Sequence, residues 1–356
     1  MQSDALGTAP ASRYTALRLK KNLAAGSDIG ILYTARENAD VSSDHNRAYG
    51  MDANIRFFNQ VDWNSYAIGS ETPGKKGGEY TWRTSLNYEG QFVHAKVAAL
   101  EVGDGFQDDL AFYRRTGVRK WFADIGLRPR PKWWKDMGGR ELHPHITWNY
   151  YNDLAGRPIG KNLHSANSWF FADGGFTEIS ANARYEYITD SLRLNRGDKT
   201  AQRIAPGGYQ WTEWRWLLQT NAARPLSLNM TATRGGLWSG SQSSLNATVT
   251  FRPDYRFRVS TGVQHTSAKL DRPNQKFDAT VWTGRANYSF TTNMFLDALT
   301  QYDAAIKQFN ANVRFNVIHH PLSDLFIVYN EQRFTTPDAP VPGRSLVVKF
   351  TQMLSF

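Results

Sequence analysis

FNANVRFNV, residues 309–317, sets Phe309, Ala311, Val313, Phe315 and Val317 on one parity and Asn310, Asn312, Arg314 and Asn316 on the other. Side chains alternate faces along a β-strand, so this is a strand with one apolar and one polar side. The same alternation recurs in ISANARYEY (179–187), LSLNMTA (226–232) and LNATVTF (245–251), and in shorter form in WRTSLNY (82–88) and FRVSTGV (257–263). Helical spacing never wins over a comparable length.

The same pattern runs to the last residue. In SLVVKFTQMLSF (345–356), Leu346, Val348, Phe350, Leu354 and Phe356 share a parity, with only Gln352 out of place. Chain ends usually fray. A terminus this regular reads as a sealing strand, or as a signal in its own right.

Short turn signals fall at 24–27, 87–92, 172–175, 222–225, 252–255, 291–293 and 320–324. Longer polar connections fall near 37–46, 71–79, 103–117, 194–207, 269–276 and 335–342. Short turns on one side and long loops on the other are the asymmetry of an outer-membrane barrel. The expected fold is an all-β, antiparallel, up-and-down transmembrane β-barrel spanning residues 13–356, with 1–12 as an unstructured start. The pattern gives about 18–20 strands, since boundaries read from sequence shift by a few residues. A count of about 19 is odd, whereas single-chain bacterial barrels have even numbers. The expectation is therefore an incomplete ring that lacks N-terminal strands.

Composition agrees. The chain is only 41% hydrophobic over 356 residues, yet it carries 12 Trp, 16 Tyr and 20 Phe. So many large rings exclude a disordered chain, and polar-on-average with abundant aromatics suits a strand-built shell. With no cysteine, disulfides, thiolate chemistry and cysteine-based zinc sites are excluded. The longest apolar run, Leu325 to Tyr329, is far below the ~20 residues of a membrane helix. The opening MQSDALGTAP has neither the charged nor the apolar region of a secretion signal. A soluble sandwich would need two strand families whose apolar faces bury each other. Here nearly every strand has one apolar face, and a closed ring would turn all of them outward to lipid. Trp82, Trp121, Trp133, Trp134, Trp148, Trp169, Trp211, Trp214, Trp216, Trp238 and Trp282 are expected near strand ends, as the interfacial girdles of such a barrel; ordinary core and hairpin packing is the plainer reading.

Four stretches in order, RYTALRLKKNLAAGSDIGILYTARE (13–37), NRAYGMDANIRFF (46–58), VGDGFQDDLAFYRRTGVRKW (102–121) and GRSLVVKFTQMLSF (343–356), resemble a family of outer-membrane barrels. The function of that family is unknown, and its members usually carry an N-terminal domain like the family-9 carbohydrate-binding modules. The resemblance covers the C-terminal, barrel part of such proteins. Its most distinctive stretch is Val102, Gly103, Asp104 and Phe106, followed by Phe112, Arg114 and Arg115; QDDLA stands where the family has a proline-containing turn. The resemblance implies a bacterial outer-membrane location, recognition of the C-terminal strand by the barrel assembly machinery, and a link to saccharides. It supplies no active site.

The formal charge of +10 is scattered singly among strands, which argues against a nucleic-acid stripe. Arg184, Arg252, Arg258, Arg314 and Lys349 fall on the polar parity. Facing an open lumen they would favour an anionic solute; in a packed lumen they would be internally paired. Asp104, Asp108, Asp109, Arg114 and Arg115 form the densest charged loop. It could clamp a ligand at the mouth or fold inward as a constriction, the plainer reading being a solvated loop with internal ion pairs.

His143 and His145 share a strand face as metal ligands could, but a metal site needs a third donor. His319 and His320 would point to opposite faces. His164 and Ser165 also point apart, and His164 lies about 13 Å along a strand from Ser168, too far for a base and its nucleophile. No cofactor is expected. Three functions remain in order: a barrel that passes or docks a solute, a saccharide by the family resemblance; an outer-membrane hydrolase acting on glycan or lipid; and a soluble all-β binding protein.

Overall fold

The structure, a computed structural model, describes residues 2–3, 11–191, 203–272, 274–337, 339 and 341–353. Among these, 71% are strand and 2% helix. The strands are β1 Gln2–Ser3, β2 Ser12–Asn22, β3 Asp28–Asn38, β4 His45–Phe57, β5 Val61–Glu71, β6 Tyr80–Glu89, β7 Val93–Val102, β8 Val118–Leu127, β9 Gly139–Asp153 and β10 Pro158–Phe171. They continue as β11 Phe176–Ile188, β12 Gly207–Gln219, β13 Leu226–Leu237, β14 Gly240–Phe251, β15 Phe257–Asp271, β16 Asn274–Thr291, β17 Met294–Asp303, β18 Gln308–His320, β19 Ser323–Phe334 and β20 Gly343–Thr351. From β2 to β20 each strand pairs antiparallel with the next, a 19-strand up-and-down sheet to which the two-residue β1 adds a short bridge beside β2. Of the residues read as the terminal apolar face, Leu346, Val348 and Phe350 lie in β20, while Leu354 and Phe356 fall outside the described residues.

Register joins the parities into continuous faces. On one face Phe315 stands opposite Ile327 and Ile327 opposite Val348, while Val313, Tyr329 and Leu346 form the next row. On the other, the Asn312 amide donates to the Asn330 carbonyl oxygen at 2.6 Å, and Asn330 donates to the Ser345 hydroxyl at 3.2 Å. A slip of one residue would exchange the two faces, so the alternation itself fixes the register.

The polar face is concave. One cavity of about 780 Å³ is walled by residues from Tyr66 of β5 to Trp211 of β12. Laid flat, seven interstrand steps would separate those strands by about 33 Å, so the sheet curls around the space. The apolar side chains point the other way and stay exposed: Met51 at 67%, Trp214 at 61%, Leu17 at 60% and Leu346 at 68%. Among the described residues, buried apolar side chains form small clusters, Val102–Phe106–Val118 and Ile188–Ile204–Leu270. No second layer covers the outward face among the described residues.

The sheet is not closed. Among the described residues β2 and β20 pair with each other nowhere. An odd number of alternating strands makes these two edges run in the same direction.

The predicted short turns all lie at one end of the sheet, and β20 finishes there too. At the turn after β4, Phe58 and Asn59 both take positive φ (51° and 60°), and the Gln60 N–H donates to the Phe57 carbonyl at 3.2 Å. Two left-handed residues suit the twist of a hairpin. The opposite end is less uniform than expected. The polar run 269–276 is strand almost throughout, because Lys269 and Leu270 pair with Lys276 and Gln275 and the hairpin turns tightly after Asp271.

A short helix, α1 Lys132–Asp136, was also not expected; its capping residue is Pro131. Its Trp134 is buried, packs on Gly139 and Phe171, and donates its indole N–H to the Phe170 carbonyl at 3.3 Å. Three of the tryptophans expected in a girdle therefore turn elsewhere. Trp134 is buried against Gly139 and Phe171, Trp211 faces the cavity, and Trp238 donates to Glu186 at 2.9 Å. Trp214 and Trp282 do face outward, but from mid-strand.

Candidate functional site

The segment between β7 and β8, residues 103–117, folds across the concave face. It begins with a close approach of two backbones. A Cβ on Gly103 would strike the Gly78 carbonyl, and one on Gly78, whose φ is +74°, would lie 2.8 Å from the Asp104 nitrogen. Only glycines allow that contact, so VGDGF and the glycines of PGKKGGE (73–79) lock two loops together. Phe106, 4% exposed, then inserts between Val102 and Val118, against Ile68, Tyr113, Tyr151 and Ile159.

Beyond Phe106 the loop splits by charge. Its acidic half is tied to the inner faces of β3 and β4, and the preceding Gln107 N–H donates to the Ser70 hydroxyl on β5 at 3.1 Å. Asp108 accepts from the Thr34 hydroxyl at 3.2 Å, and Asp109 accepts from Arg36 Nε at 2.7 Å. The Asp109 N–H donates to Asn46 Oδ1 at 2.8 Å, while Asn46 Nδ2 donates to the Gln107 carbonyl at 2.8 Å. Asn46 is 1% exposed, so these bonds form out of water. Arg36 also donates to Asp44 at 2.8 Å and holds that carboxyl below the usual carboxylate range. The basic half, Arg114 and Arg115, lines the cavity. The five charged residues read as one cluster thus divide: Asp108 and Asp109 anchor, Asp108 also lining the cavity, Arg114 and Arg115 face the space, and Asp104 stays exposed beside Gly117.

The cavity combines those arginines with Tyr66, Tyr113, Tyr151, Trp211 and Arg184. Flat rings that stack and cations that donate suit a polar solute bearing hydroxyl or anionic groups. Arg184 is not a bare charge, because its guanidinium is paired with Glu213 at 2.8 Å. Ion pairs also occupy the concave face toward the N-terminal edge, where Arg18 reaches over Gly30 to Asp52 and Lys20 meets Asp28 at 2.9 Å.

The C-terminal strands differ. Arg258 and Arg314 lie in one transverse row, separated by Asn287 and Asp297, which bond to each other at 2.7 Å. Lys349 shares the inward parity on β20, beside Phe326. Arg252 lies in the turn after β14 and donates to the Ala222 carbonyl at 2.7 Å, away from the wall. On β12 and β16 two further inward arginines were not read from the sequence. Arg215 stands between Trp214 and Trp216, and Arg285 lies three residues after Trp282. Their parity opposite those tryptophans was the available signal.

Nearer the short-turn end the inner wall carries four histidines, His94, His143, His145 and His164, drawn from β7, β9 and β10. His94 and His143 meet Nε2 to Nε2 at 2.7 Å, and His94 Nδ1 faces Asp124 at 3.2 Å. Gly126 makes room, since a Cβ there would run into His94 and His143. The third donor that His143 and His145 lacked in sequence comes from other strands: His145, His164 and Glu178 each bring one ligand atom within 4.8 Å of the others. Ser168 donates its hydroxyl to Glu178 at 2.9 Å, whereas His164 Nδ1 bonds Asn182 at 2.8 Å. The serine and the imidazole are thus not joined as nucleophile and base. His319 stacks on Phe350 and bonds Gln352.

Compared with protein-family models and with curated proteins, the chain gives no match.

Proposed function

We propose that this chain is the wall of a bacterial outer-membrane β-barrel whose lumen docks or passes a small polar solute. The observation that carries the reading is the division of faces. Leucine, isoleucine, methionine and tryptophan side chains stand exposed and uncovered along the convex side, while the concave side is hydrogen-bonded and ion-paired. Water does not stabilise so broad an apolar surface, and lipid does. β7 and β20, with 10 and 9 residues, are already long enough for a tilted strand to cross a hydrocarbon core.

Ring closure follows the same logic. A direct β2–β20 seam would be parallel, so an odd number of further strands between these edges completes an antiparallel ring. The barrel assembly machinery is the partner such a β20 would meet. The solute class rests on the cavity: tyrosines, a tryptophan and arginines suit a saccharide or an anion, in keeping with the resemblance to barrels that carry carbohydrate-binding-like domains. No observation favours the hydrolase.

Cell fractionation followed by planar-bilayer recording tests the proposal. Recovery with the outer membrane and solute-blocked conductance are expected. Recovery as a soluble monomer would overturn it.

A further inference from the structure

The histidine cluster on the inner wall is more ordered than a set of solvated side chains needs to be. We propose that His145, His164 and Glu178 bind one divalent transition-metal ion of the Zn²⁺ type on the lumenal face. Their ligand atoms already lie within 4.8 Å of one another. A tetrahedral ion with bonds of 2.0–2.2 Å would hold them at about 3.4 Å. Small side-chain rotations close that gap.

Both imidazoles are set in the orientation a metal requires. His145 Nδ1 lies 3.2 Å from the His143 carbonyl, and His164 Nδ1 lies 2.8 Å from Asn182 Oδ1. Each acceptor takes the Nδ1–H and leaves the Nε2 lone pair as the ligand, the arrangement that outer partners of metal-bound histidines impose. His164 Nε2 points at Glu178 Oε1 at 3.8 Å, and the other oxygen of Glu178 accepts from Ser168. The His145 ring is held in plane by His143, stacked at 4.6 Å and 17°.

Register explains why the three converge. Ala166 is the inward residue of β10 between His164 and Ser168, and it lies opposite His145 on β9 and Ser180 on β11. Its buried methyl leaves room that any longer side chain would fill. Two nitrogens and one carboxylate oxygen, with a fourth position toward the lumen, suit Zn²⁺ or Co²⁺ better than Mg²⁺ or Ca²⁺, which prefer oxygen. The next inward position along β10 from His164 is Asn162, which lines the cavity, so an ion here would stand at its floor. The site depends on strand register alone and stands whether or not the barrel conducts.

The test is Zn²⁺ and Co²⁺ titration of the full-length protein in detergent, after chelator treatment, against a competing chromophoric chelator. One ion per chain is expected, with Co²⁺ giving the intense visible bands of four-coordinate geometry. His145→Ala, His164→Ala and Glu178→Gln should each weaken binding at least tenfold, and Ala166→Leu should do the same with every ligand retained. His319→Ala serves as the control. Only variants that keep the wild-type far-ultraviolet signal and heat-shifted gel mobility are scored; Ala166→Leu and Glu178→Gln are the pair least disruptive to the wall. Failure of the wild type to bind, or binding unchanged by both of that pair, would overturn the site.

Discussion

Gly126 shows how much of the inner wall is decided one atom at a time. It lies between His94 on β7 and His145 on β9, and any side chain there would enter the space held by His94 and His143. Gly126→Ala should therefore cost about 1–3 kcal/mol, as overpacking does. The expected result is a lower urea midpoint in detergent, and an unchanged midpoint would contradict the crowding. At this scale the sequence was half legible. His143 and His145 were visible as a same-face pair, because parity is written within one strand. His164 and Glu178 were not, because cross-strand pairing depends on turn lengths and bulges such as the one between Pro158 and Gly160.

Among the elements, residues 103–117 carry the sharpest difference between reading and structure. Charge density suggested a unit, whereas position decides: the acidic half meets donors on β3 and β4, and the basic half faces the cavity. Phe106 is the anchor, buried among Val102, Val118 and their neighbours. Phe106→Ala should remove about 3–5 kcal/mol of packing. Its expected readouts are faster protease cleavage within 107–116 and, in a conducting barrel, larger and noisier conductance. Resistance equal to wild type would show that the loop is held by its polar ties alone. One of those ties, Asp109 to Arg36, shares its arginine with Asp44, and the Arg36–Asp44 pair, which holds that carboxyl below its usual range, is intact at neutral pH. It is lost only as pH falls below the ordinary carboxylate range. The strands were legible because alternation is a local property. The tight turn after Asp271 was not, since its polar residues are also ordinary strand residues on the outer rim, and α1 was hidden by its five-residue length.

Over the whole molecule the decisive quantity is which face meets which solvent. Val313 lies on the apolar side of β18, between Ala298 and Tyr329, and Asn312 on the polar side, between Leu299 and Asn330. Val313→Arg should cost about 2–4 kcal/mol or block assembly, as charge on a lipid face does at mid-membrane. Asn312→Arg should be mild. Equal tolerance of the two, measured by outer-membrane yield and heat-shifted mobility, would overturn the membrane reading. The same division sets the field inside. Near the N-terminal edge the inward cations Arg18, Lys20 and Arg36 are matched by acids. Along β15–β20, Arg258 and Arg314 flank the single carboxylate of Asp297 in their row, and Lys349 stands beside Phe326. An excess of positive charge on a low-dielectric wall is focused into the lumen and screened over a Debye length of about 10 Å at 0.1 M salt. A conducting barrel should therefore prefer anions, with the preference falling as salt rises. Arg258→Glu and Arg314→Glu together reverse two charges in that row and should move the reversal potential under a salt gradient toward cations. Arg252→Glu, in the turn outside the wall, should move it far less. Cation preference in the unmodified barrel, or equal shifts from the wall and turn variants, would show that these strands do not set the field.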